Sequence, residues 1–128
     1  MEIETEETKK EKRISDIDLF KKACLETLQT YWIAKERRSD TKKIEAYFKS
    51  YVFNLFELIK PKMKKTELGL QKIEINGKVY ELTFSQLADY YELKLLNCIR
   101  RNERISFEEA FDLFKVLLLF MEFSKKEE

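Results

Sequence analysis

The sequence predicts a mainly α-helical fold, a four-helix up-down bundle with a small β-hairpin inserted between helices 2 and 3. Three observations carry this expectation. Large apolar residues recur at three- and four-residue spacing along four long stretches, the repeat that lines one face of a helix. Two Gly and one Pro are all that punctuate 128 residues, leaving few places for the chain to break. The one alternating apolar and polar segment surrounds an Asn-Gly pair. With 44% hydrophobic residues, ten Phe and six Tyr among them, a chain of this length can fill one core. A single helical domain is expected over residues 14–124, between a flexible charged amino-terminal tail, 1–13, and a charged tail, 125–128.

Residues 1–13 alternate acidic and basic side chains and offer almost nothing to anchor on a core. Ser15, with Asp18 three residues on, has the form of a helix cap, and Ile17, Phe20, Cys24, Leu28 and Tyr31 then mark a first helix that ends near Arg38. Ser39, Asp40 and Thr41 supply the next cap. A second helix follows, with Ile44, Phe48, Tyr51, Val52, Leu55, Phe56 and Ile59 on one face, and Pro61 is expected to break or kink it. The short connection implies an antiparallel helical hairpin.

Around Asn76-Gly77, Ile73 to Tyr80 alternate in character, and Asn-Gly accepts the positive backbone dihedrals of a type I′ turn, so residues 72–81 are expected to form a hairpin resting on a helix. Thr83 and Gln86 have capping-box spacing and begin a third helix, whose stripe of Phe84, Leu87, Ala88, Tyr91, Leu95, Cys98 and Ile99 runs to Arg100 and Arg101. Ser106 and Glu109 repeat the box before a fourth helix from Phe107 to about Phe123. That helix is apolar on nearly all sides, which suits either the centre of a bundle or one wall of an interface.

Several chemistries drop out. Without histidine the chain cannot hold a Ser-His-Asp or Cys-His pair, an imidazole-ligated zinc or a histidine general base. Gly69 and Gly77 are isolated, so there is no phosphate-binding loop. The acidic pairs Asp89/Glu92 and Glu108/Asp112 could share a cation across a helix turn, but among so many charges they are expected to be solvated or paired with Lys and Arg. Cys24 and Cys98 continue apolar stripes and read as small buried hydrophobes in a reducing compartment. No catalytic residue, metal, cofactor or small-molecule substrate is therefore expected. The longest apolar run, Val116 to Met121, is far short of the ~20 residues of a membrane span, and the charged amino terminus does not form a secretory signal, so a cytoplasmic protein without a membrane partner is expected.

Two surfaces are candidates for binding. Trp32, Val116, Leu117, Phe120 and Phe123 are expected to present an apolar and aromatic helix face to a protein partner or a second copy, as in a homodimer. Lys35, Arg37, Arg38, Lys42 and Lys43 surround the first helix-helix turn, and Arg100, Arg101 and Arg104 the last. In an up-down bundle these turns would form one basic pole able to hold a nucleic-acid phosphate backbone, although Lys and Arg also gather at helix carboxyl ends to complement the macrodipole. The net charge is only +1, from 25 Lys plus Arg against 24 Asp plus Glu, so any such attraction must be local.

In style over its whole length, short, rich in Lys, Glu, Ile and Phe, lacking histidine and helical throughout, the chain resembles the small helical proteins of viruses that infect heat-loving archaea, some of them similar to inhibitors of host CRISPR effector complexes. The resemblance implies a thermophilic viral protein with a protein partner, an anti-CRISPR protein being one form of it, and it assigns no residue a role. The expected function is a noncatalytic protein-interaction module; the alternative is a nucleic-acid-binding protein.

Overall fold

A computed structural model describes residues 6–67 and 69–126, with side chains from residue 16 onward. The described residues form four helices, α1 (Glu6–Glu36), α2 (Lys42–Lys64), α3 (Phe84–Arg100) and α4 (Phe107–Lys126), with strands β1 (Gln71–Ile75) and β2 (Lys78–Leu82) between α2 and α3. The mainly helical fold with its inserted hairpin is the one the spacing implies. The chain divides within α2 into two compact units, Met1–Leu58 and Ile59–Glu128. Of the expected tails, residues 1–5 and 127–128 lie outside the described residues.

In the first unit α1 begins at Glu6, so Ser15 is an interior helical residue and the expected cap there does not form. The stretch before it is built mainly of Glu, Lys and Arg, good helix formers that impose no stop. Cys24, Leu28 and Tyr31 of α1 and Phe48, Val52, Leu55 and Phe56 of α2 are buried. Arg38 ends α1 in a left-handed conformation with φ 57°, and the Ser39 N–H donates to the Ala34 carbonyl at 2.9 Å, a Schellman-type closure. The Asp40 carboxylate then accepts the Lys42 N–H at 3.0 Å, capping α2.

Pro61 does not end α2. The helix continues to Lys64, and the last turn buries Met63 completely. Pro removes one backbone donor at a cost of about 3 kcal/mol, which the burial of Met63 at about 1.5–3 kcal/mol largely offsets.

In the second unit the hairpin forms as the Asn-Gly pair requires. Ile75 pairs with Lys78 across a two-residue turn, with φ 51° at Asn76 and 81° at Gly77. Ile73 and Ile75 are buried while Val79 is exposed, the alternation of a sheet with one covered face. At α3 the capping box is complete: the Gln86 N–H donates to Thr83 Oγ1 at 3.1 Å, and the Thr83 N–H donates to Gln86 Oε1 at 2.9 Å. At α4 only half of the expected box forms. The Glu109 N–H donates to Ser106 Oγ at 3.1 Å, but the Glu109 carboxylate accepts from the Ser106 hydroxyl and pairs with Lys94 of α3.

The core of this unit includes Met63, Phe84, Leu87, Ala88, Tyr91, Ala110, Leu113, Phe114, Val116, Leu117 and Phe120. Phe84 meets Phe120 edge-on at 5.1 Å and lies 5.2 Å from Phe123. The Tyr91 ring is buried, yet its hydroxyl makes no hydrogen bond among the described residues, and burial pushes its ionisation well above the usual tyrosine range, helped by Asp112. Leu117→Ala is expected to cost about 2–5 kcal/mol in urea unfolding, whereas Tyr91→Phe is expected to be neutral or stabilising, since it removes an unsatisfied polar group. A marked loss of stability in Tyr91→Phe would show that the hydroxyl has a partner.

Candidate interaction face on helix 3

The apolar residues expected to meet a partner on α4 are instead core. Val116, Leu117 and Phe120 are 1%, 0% and 3% exposed, covered by the chain itself. Of the two uses open to a helix apolar on most sides, α4 takes the internal one. Phe123 is half-buried against Phe84, and Trp32 in the first unit is half-exposed, edge-on to Tyr31 at 5.2 Å.

Exposed apolar surface in the second unit gathers on α3. Its inner stripe, Phe84, Leu87, Ala88 and Tyr91, is buried. A helix turns 100° per residue, so Asp89, Leu93, Leu96 and Arg100 share the opposite face. Leu93 and Leu96 are 57% and 45% exposed, and Ile99, expected at the end of the buried stripe, is 75% exposed because it lies at that stripe's edge in the last turn. Tyr90 flanks them, its ring edge-on to Tyr91 at 5.0 Å and under the Lys94 ammonium at 5.6 Å. Leu93 and Leu96 were legible only as two leucines three apart that fall off the core stripe.

Of the charges around this face, Glu92 and Lys94 are engaged inward, while Asp89, on the face itself, stays exposed beside Lys64. Glu92 accepts Lys64 at 2.7 Å and Lys60 at 3.1 Å, Asp89 lies 3.8 Å from Lys64, and Lys94 pairs with Glu109. These contacts tie α3 to the last turns of α2 and to the start of α4. Asp89, Glu92 and Asp112 thus behave as ion-pair partners, Asp112 being bound to Lys115 at 3.2 Å, and among the described residues no group of three potential metal ligands converges.

No family model, curated protein or solved structure matches this chain.

The basic residues lie where the sequence puts them. Lys35, Arg37, Arg38, Lys42 and Lys43 are exposed around the α1–α2 turn, and Arg100, Arg101 and Arg104 around the α3–α4 turn. The first group belongs to one compact unit and the second to the other. Lys35 stands over Tyr31 and Trp32, 5.7 and 5.6 Å from the ring centres.

Two shallow grooves lie among the described residues. One of about 400 Å³ is bordered by Thr27, Thr30, Tyr47 and Tyr51, with Glu26 its sole carboxylate. The other, about 300 Å³, lies between the hairpin and α3 beside Tyr80 and Tyr90. Burial raises the Cys24 thiol to about 12, so it is protonated and unreactive at neutral pH, and Cys98 is half-buried. Among the described residues, no helix is long and apolar enough to cross a membrane.

Hydrogen bonds from Lys64 and then Lys60 hold the Glu92 carboxyl below its ordinary value near 4.5. A carboxyl depressed on folding stabilises the fold above that ordinary value, and the contribution disappears as pH falls through the lower, folded value. Glu92→Gln is therefore expected to flatten the stability–pH profile below about pH 4.5, read as thermal midpoints across an acid series. An unchanged acid slope would remove Glu92 from the ion pairs that anchor α3.

Proposed function

We propose that this protein is a noncatalytic protein-interaction module that presents the outer face of α3 to a protein partner, a second copy or a component of a larger complex. The observation that carries this reading is the exposure of Leu93 and Leu96 on the face of α3 opposite its core stripe, with the exposed Ile99 at the strip's flank. Single exposed leucines are ordinary on protein surfaces; Leu93 and Leu96 one turn apart, with Tyr90 on one flank and Ile99 on the other, make an apolar strip that loses little by desolvation and gains about 25 cal/mol per Å² covered. The stylistic resemblance to small viral helical proteins fits a module of this kind, with a host defence complex as one partner of the required chemistry.

The test compares the wild-type chain with Leu93→Glu/Leu96→Glu. Both positions are exposed, so the variant is expected to keep its helical content and melting temperature within a few degrees. It is expected to lose at least tenfold in affinity for any protein that the wild type binds, measured by quantitative co-purification and then calorimetry. Unchanged binding would remove α3 as the interaction face.

Nucleic-acid binding is a second reading, favoured by the exposure of every basic residue around both turns and by the absence of ion pairs to them among the described residues. The five cations of the first turn, if all meet phosphates, would make affinity fall about 10²- to 10³-fold between 50 and 200 mM salt. Fluorescence anisotropy with a labelled duplex checks this. Binding that ignores salt, or that survives Arg37→Ala/Arg38→Ala, would contradict it.

A further inference from the structure

We infer that the occupant of the α3 face is a second copy of this chain, docked antiparallel about a two-fold axis centred between residues 94 and 95. The inference rests on the reading of α3 as the interaction face and names its partner.

Asp89, Leu93, Leu96 and Arg100 follow one another at intervals of four, three and four residues, the seam of a coiled coil. All four are exposed, and the Asp89 carboxylate keeps 66% of its accessibility despite the nearby Lys64. The seam is apolar in its middle and oppositely charged at its two ends. Asp89 and Arg100 stand at equal distances from the midpoint, as do Leu93 and Leu96.

This symmetry selects one arrangement. In an antiparallel pair Leu93 of each copy meets Leu96 of the other, and Asp89 of each copy meets Arg100 of the other, so both ends close with opposite charges. A parallel pair would set Asp89 against Asp89 and Arg100 against Arg100. The remaining charges of the helix do not disturb the match, because Glu92 is held by Lys60 and Lys64, and Lys94 by Glu109.

The seam from Asp89 to Arg100 is only about 16 Å long at 1.5 Å per residue. On a helix about 10 Å wide a seam of that length covers far less than the roughly 800 Å² per partner of a standard stable complex, so the dimer forms weakly and reversibly, with a dissociation constant on the order of micromolar or above.

Sedimentation velocity on the full chain, from about 1 to 500 μM in low salt, tests the arrangement. The wild type is expected to shift with concentration toward twice the mass of one chain. Asp89→Arg and Arg100→Asp are each expected to weaken the dimer at least tenfold, because each sets like charges against each other. An equimolar mixture of the two variants is expected to dimerise again, since one chain then brings two cations and the other two anions, and the double variant Asp89→Arg/Arg100→Asp recovers on its own. Leu96→Glu abolishes association without altering either end.

A wild type that stays monomeric over the whole range overturns the inference, as does a dimer that the single charge changes leave intact or that mixing fails to restore. If the wild type is monomeric while Leu93→Glu/Leu96→Glu still loses a different protein, the interaction face stands and only its occupant changes. If no binding of any kind depends on Leu93 and Leu96, both readings fall.

Discussion

The burial of α4 within its own chain is the constraint on which the rest of the structure depends. Ala110, Leu113, Phe114, Val116, Leu117 and Phe120 are all covered, so most of the apolar surface of α4 is used within the chain and Leu119 is left as its exposed large apolar residue. Each of the larger side chains contributes about 1.5–3 kcal/mol on leaving water, enough to hold the helix in place against the entropy of ordering it. Once α4 is internal, α3 has one inner face, Phe84 to Tyr91, and the opposite face, with Leu93 and Leu96, is left to solvent. Which apolar surface stays open to solvent is thus decided by which helix is consumed by the core.

Local devices then set the direction and register of α3. The Asn76-Gly77 turn fixes the pairing of Ile75 with Lys78, and β2 leads directly into the Thr83 cap. The ion pairs from Lys60 and Lys64 to Glu92, and from Lys94 to Glu109, hold the helix laterally. Partly exposed pairs of this sort stabilise little individually. Their effect here is on rotation: with Glu92 and Lys94 engaged, the helix cannot turn Leu93 and Leu96 inward without breaking them.

Features written in a few adjacent residues were legible in the sequence. The hairpin followed from Asn-Gly, the start of α3 from Thr83 and Gln86, and the helices from their periodicity, because each depends on backbone conformations that local side chains dictate. Features decided by distant packing were not. Pro61 reads as a break or a kink, and only the burial of Met63 two residues later shows why the helix continues. Ser15 has cap chemistry, but a cap is used only where a helix starts, and the charged residues before it continue the helix. Val116, Leu117 and Phe120 produce the same pattern whether they are covered by their own chain or by another. The outer face of α3 became visible only when its inner face was known, since two leucines off a stripe carry no signal until the stripe's orientation is fixed.

The division of apolar surface between α4 and α3 is tested most directly by methyl NMR with a soluble paramagnetic probe, at a concentration low enough to keep the chain monomeric. The Leu93 and Leu96 methyls are expected to relax strongly, while those of Leu113, Val116 and Leu117 stay protected. Strong relaxation of Val116 and Leu117, or protection of Leu93 and Leu96, would contradict the burial of α4 and the open outer face of α3 on which the proposed interaction depends.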